Sequence, residues 1–248
     1  MESIGRLAHC AGMKPIPDEW LSPPSLSVAT EVQRELAARV VAEDDLGPVE
    51  TIGGTDISCR PRDPKALVHA AIVALDAGDL SVREVAGASM LPPFPYVSGY
   101  LGFREAPSLV AAFADLKRKP DLLFVDGQGL SHPRGFGIAC QLGVLLDVPA
   151  IGVAKSVLIG TPAGPLGPDP GDRVPMVWKG RTVGMALRSK ARSNPLFISV
   201  GHRISLDTAV EQVLRATRGY RLPEPTRRAH LAANDLRRST EIPSDVGD

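Results

Sequence analysis

Apolar residues recur along this chain in two periods, and the order of those periods predicts its elements. Val32, Leu36 and Val40 recur at helical spacing, so a helix is expected over residues 28–42. The Pro-rich stretch 1–27 ahead of it reads as an irregular arm. The pattern then changes to short β-branched runs. Residues 50–58 read as a strand, and 67–75 and 80–88 as two more, joined by the hairpin signal Asp76-Ala77-Gly78-Asp79. The first long helix is expected over 106–119, where Leu109, Ala112, Phe113 and Leu116 share a face. A strand at 122–126, a helix at 135–146 and a strand at 150–155 follow.

Three meander strands followed by two helix-linked strands predict an α/β fold: a ribonuclease-H-like mixed sheet, three antiparallel strands and then parallel ones, flanked by helices. Residues 160–173, dense in Pro and Gly, read as loop. Residues 176–178 and 182–187 read as a hairpin around Lys179-Gly180, and 196–200 as another strand. Ser205 is expected to cap a helix running through Ala209, Val213 and Leu214. A last helix is expected over 224–238, with a disordered tail at 239–248. At 248 residues the chain suits one core with decorations, so residues 28–238 are expected to form a single domain.

Charge changes this picture only locally. The net charge is zero, which argues against a nonspecific polyanion binder. Residues 1–50 nevertheless carry nine acids against four Lys/Arg, whereas 211–238 carry seven arginines against three acids. That basic stretch suits a phosphate-facing surface or an ordinary solvated helix face. Cys10, Cys59 and Cys140 are odd in number and lack metal-ligand spacing, so neither a disulfide framework nor a zinc site is indicated. No run approaches the ~20 apolar residues that span a bilayer, and no secretory leader is visible; a soluble, cytoplasmic protein without a membrane or obligate protein partner is expected.

The candidate chemistry sits where strands end. The run Leu122-Leu-Phe-Val125 stops on Asp126-Gly127-Gln128-Gly129, which sets a carboxylate at the open edge of a sheet, although Asp-Gly also suits a plain turn. Asp56 stands inside a strand pattern, where Asp is depleted. Glu105 lies at the entry to a helix, a position the helix dipole alone would favour. Three acids at one edge would repel unless a cation neutralised them, and Mg²⁺, an oxygen-seeking ion shared with phosphates, is the natural candidate. Lys155, ending the run from Ala150, would lie beside Asp126 and stabilise phosphate charge, or serve as a solvated cap.

Taken together, the blocks Gly53-Gly-Thr-Asp56, Pro95-Tyr-Val-Ser-Gly-Tyr-Leu-Gly-Phe-Arg-Glu105, Asp126-Gly-Gln-Gly-Leu-Ser-His132-Pro-Arg134, Gly152-Val-Ala-Lys155-Ser, Gly201-His-Arg-Ile-Ser205 and Arg228-Ala-His230 resemble the endonuclease V family over residues 51–238. The resemblance implies an endonuclease of DNA repair that recognises deoxyinosine and nicks the second phosphodiester 3′ to it, leaving a 5′-phosphate. Inosine-containing RNA is the alternative substrate, and a non-catalytic nucleic-acid binder of the same fold a further one. It also implies that Asp56, Glu105 and Asp126 hold Mg²⁺, with Mn²⁺ able to substitute, that Lys155 assists, and that His230 sits beside the metal. Pro95, Tyr96 and Val97 would form a strand-parting wedge, with Ser98 where the family usually has proline. Leu101, Gly127, Gly129, Gly137, Ile138 and Leu158 would line the pocket for the flipped base, the glycines letting backbone amides reach the purine edge. His132 would reach phosphate or steady its loop. Gln141 stands where histidine is common in the family.

Overall fold

The computed structural model describes residues 15–60 and 66–241. A nine-stranded sheet in the order β3-β2-β1-β4-β5-β9-β8-β7-β6 runs through the molecule. The expected meander is present as β1 (Thr51–Cys59), β2 (Val68–Asp76) and β3 (Val82–Met90). β4 (Leu122–Val125) then pairs parallel to β1, and β5 (Ala150–Ala154) parallel to β4. The ribonuclease-H-like order is therefore observed, and the sheet continues beyond it. β9 (Leu196–His202) returns antiparallel on β5 and carries β8 (Arg181–Leu187), β7 (Arg173–Trp178) and the two-residue β6 (Thr161–Pro162) outward. β6 lies inside the stretch expected to be loop, because its two residues pair with Met176 and Val177.

Alternation along β4 explains the layers. Leu123 and Val125 enter one apolar core, Leu122 and Phe124 the other, as period-2 side chains must on a sheet covered on both faces. The first core is roofed by α1 (Asp18–Leu21), α2 (Leu26–Ala37), α3 (Leu101–Asp115) and α4 (Ile138–Leu146). The second is closed by α5 (Leu206–Arg215) and α6 (Glu224–Glu241). Ser205 caps α5 as expected, its Oγ accepting from Thr208 N.

Several boundaries differ from the sequence expectation for identifiable reasons. The stretch expected to be an irregular arm contains α1, and Ile16 and Leu21 are buried in the first core. Residues 1–14, Cys10 among them, lie outside the described residues. α2 stops at Ala37 rather than continuing to residue 42. α3 begins five residues early, at Leu101, with Pro107 inside it. Packing decides that point: Phe103 is fully buried and its ring lies 5.6 Å from Phe94, so the first turn is held although proline interrupts the ladder behind it. α6 extends to Glu241, past the expected start of a disordered tail.

Candidate active site

Strand register brings two carboxylates together. Thr55 pairs with Val125 across the parallel β1/β4 ladder, and β4 stops there. Asp56 and Asp126 are therefore neighbours at the open end, with Asp126 N still donating to Thr55 O at 3.3 Å. Glu105 comes from the second turn of α3 and keeps only a narrow opening to solvent. Burial first, then the charges of Asp56 and Asp126, push the Glu105 carboxyl up to about 8. Burial and Asp56 likewise push Asp126 up to about 6, against the opposing pull of Lys155. Glu105 feels the charges of both aspartates and Asp126 that of Asp56, so the structure brings the three predicted carboxylates near one another.

Two basic groups meet this cluster. Lys155, one residue beyond β5, forms an ion pair with Asp126 Oδ2. Its own backbone is clamped, because Arg221 Nη2 donates to Lys155 O at 2.9 Å while the same guanidinium reaches Asn194 O and Pro195 O, each at 2.8 Å. His230 Nδ1 lies 2.7 Å from Asp56 Oδ2. α6 can deliver it because Gly54 has no side chain: a Cβ there would stand 2.0 Å from Pro225 O. Asn234 Nδ2 is 3.1 Å from His230 Nε2, and Asn234 Oδ1 accepts from Ser58 Oγ at 2.9 Å. An amide nitrogen only donates, so Nε2 is the acceptor and the ring proton on Nδ1 faces the carboxylate. Sequence reasoning missed Arg221, Asn234 and Ser58, since nothing in their spacing marks contact with residues far away in the chain.

A cavity of about 390 Å³ opens beside Asp126 and Lys155. Leu101, Gly127, Gly137, Ile138 and Leu158 line it as expected, and Tyr96, Val97 and His132 contribute at the same site. Tyr96 is 71% exposed, which suits a wedge and not loop packing. Pro95 is exposed beside it and does not line the cavity. Gly129 departs from the expectation. It is absent from the lining; its N–H donates to Ser199 Oγ at 2.8 Å, and a Cβ there would stand 1.9 Å from Val200 O. Gly129 is glycine to let this loop cross β9, and its amide is already spent. His132 is buried, and burial and Arg134 hold its imidazole down to about 4. A neutral ring whose Nδ1 accepts from Arg134 N at 3.3 Å steadies the loop and does not offer a charge to phosphate. Gln141, the departure from the family pattern, lines the same cavity, is buried and donates to Trp20 O at 3.2 Å.

The donor set fits a hard divalent cation. It consists of carboxylate oxygens with no thiolate; burial first and then neighbouring carboxylate charge push Glu105 and Asp126 up, and a bound cation would offset both. Among the described residues no three His, Cys, Asp or Glu side chains stand at metal-holding spacing.

A mixed sheet covered by helices on both faces, with acids gathered where β4 ends beside Asp56 of β1, is of the ribonuclease-H-like class. Comparison with known proteins narrows the class. The sequence model of the Endonuclease V family matches residues 34–231, and the chain belongs to that family. It is 58% identical to Endonuclease V of Rhodospirillum centenum over 221 residues, covering 89% of this chain and 92% of that protein. Endonuclease V of Streptomyces avermitilis superposes with a TM-score of 0.84 at 38% identity, covering 92% of this chain and 98% of that one. Ciona intestinalis Endonuclease V, solved with a 24-mer DNA containing an inosine followed by a ribo-adenosine, superposes with a TM-score of 0.76 at 27% identity, covering 87% and 99%. The chain is thus an endonuclease, and its family is one of metal-dependent nucleases.

Proposed function

We propose that this endonuclease recognises deoxyinosine in DNA and cuts the second phosphodiester 3′ to it, leaving a 5′-phosphate, with Mg²⁺ held by Asp56, Glu105 and Asp126. The observation that carries this reading is the convergence of three mutually repelling carboxylates beside a cavity fit for a base. The inosine-containing DNA bound by the Ciona relative supports the substrate.

In this reading Tyr96, backed by Pro95 and Val97, takes the place of the flipped base in the stack. The base enters between Leu101, Gly127, Gly137, Ile138 and Leu158, while Gly129 and His132 hold the loop beneath it. Mg²⁺ held by Asp56, Glu105 and Asp126 would supply water activation and charge screening. Lys155 adds positive charge to the developing phosphorane, held in place through Arg221. His230 orients Asp56 through its Nδ1–H. The basic residues of α6 and the turn before it suit the nucleic-acid backbone.

Cleavage of inosine in RNA is a second reading, favoured by the ribo-adenosine that follows inosine in the Ciona complex. One assay separates the two. Matched DNA and RNA strands carrying inosine or adenosine are incubated with Mg²⁺, Mn²⁺ or chelator, and the fragments are mapped. The expected result is a metal-dependent single nick in inosine DNA; equal cutting of adenosine strands, or cutting in chelator, refutes the proposal.

A further inference from the structure

The loop that carries Tyr96 is fastened at both ends, with Val97 O accepting from Tyr100 N at 2.9 Å between them. At its start Phe94 is buried, its ring 6.4 Å from Tyr100, and its carbonyl accepts from Arg104 Nη1 at 3.4 Å. At its end one carbonyl, Gly99 O, is the convergence point: Gln33 Nε2 donates to it at 2.9 Å, and Arg134 Nη2 donates to it as well. The two donors are themselves joined, because Arg134 Nε donates to Gln33 Oε1 at 2.5 Å. The Arg134 guanidinium also lies 4.2 Å from the centre of the Tyr100 ring, and the Tyr100 hydroxyl meets Thr30 Oγ1 at 2.7 Å.

Gln33 is 2% exposed although it is polar and lies on α2, far in sequence from every block of the catalytic site. A buried amide is retained where both its donor and its acceptor are satisfied, and here both are committed to the wedge stem. α2 otherwise contributes only apolar residues to the first core. Gln33 also stands one residue before the stretch matched by the family model.

We propose that Gln33 and Arg134 form a latch that sets the position of the Tyr96 wedge, so that Gln33 is a positioning residue for duplex substrates. This inference rests on the wedge role given to Tyr96 above. Prying a duplex apart loads the loop, and an unlatched stem lets Tyr96 yield. A single strand has little stacking to part, so the latch matters less there.

The test compares kcat/KM on duplex and on single-stranded inosine DNA for Gln33→Leu, Tyr96→Ala and the double variant. Gln33→Leu is expected to lower the duplex to single-strand ratio about tenfold, and the double variant to show no further fall beyond Tyr96→Ala, because the two act on one step. Gln33→Glu, which keeps the size and the Arg134 partner but loses the donor to Gly99, is expected to lie between Leu and wild type; it replaces Gln33→Leu if that variant does not fold. An unaltered ratio in Gln33→Leu together with a lowered one in Tyr96→Ala overturns the latch and leaves the wedge standing. An unaltered ratio in Tyr96→Ala overturns both. Additive losses in the double variant place Gln33's effect elsewhere and also overturn the latch.

Discussion

Replacing Glu105 with glutamine is expected to flatten the pH dependence of stability of the metal-free protein while abolishing cleavage. Glu105 is raised from 4.5 to about 8, first by burial and then by Asp56 and Asp126. Between those values the folded protein holds a proton that the unfolded chain has released, so stability falls as pH rises, by about 1.4 kcal/mol per unit for one group. The whole window sets a ceiling of about 5 kcal/mol. The narrow opening to solvent lowers that, and a difference of about 2 kcal/mol between pH 5 and pH 8 is expected. The absolute profile is not diagnostic, because His132, held down to about 4, gains stability for the fold with rising pH between about 4 and 6.5. The difference between variant and wild type removes that contribution. At pH 5 glutamine replaces a protonated acid of the same shape and the two unfold alike; at pH 8 the variant is the more stable. Urea unfolding in chelator at four pH values reads this directly. Parallel curves for wild type and Glu105→Gln would refute the raised Glu105 carboxyl.

Two further substitutions probe the supports of the site. Gly129→Ala is expected to destabilise the fold by about 3 kcal/mol, a fall in Tm on the order of 10 °C, because its Cβ meets Val200 O at 1.9 Å; a wild-type melt with lost inosine preference would instead restore Gly129 to the pocket wall. Arg221→Ala is expected to lower kcat about tenfold with KM within about twofold, because one guanidinium holds the carbonyl of Lys155 and two others, and Arg221→Lys should not rescue it. A change in KM alone would remove Arg221 from the positioning of Lys155.

The strands and most helices were legible because their periodicity is local. Leu122-Leu-Phe-Val125 declares a strand by itself, and Ser205 declares a cap. The start of α3 was misread because Pro107 is a strong local signal, whereas the packing of Phe103 on Phe94 that overrides it is tertiary. The outer strands β6 to β9 were partly visible as runs, but their register on β5 was not, since antiparallel return depends on partners far away in sequence. Among site residues Asp56 and Asp126 announced themselves by standing inside a strand and at a strand end, whereas Glu105, on a helix, stood out only through its sequence block. Gly129 could not be told from a pocket glycine, because a close approach to Val200 and a close approach to a ligand demand the same residue. Gln33, Asn234 and Arg221 carry no motif, and only the fold reveals what they hold.

The central claim is that Asp126 serves metal-assisted cleavage and not the binding of the lesion. Removing it takes away a cation ligand and also a negative charge facing phosphate, so chemistry and affinity should move apart. The direct measurement is Asp126→Ala assayed twice on one deoxyinosine duplex with Mg²⁺, once for nicking and once for binding by gel shift. The account predicts nicking reduced by at least about a thousandfold, a loss of about 4 kcal/mol in transition-state stabilisation, with binding retained within about threefold. Nicking at the wild-type rate would contradict it.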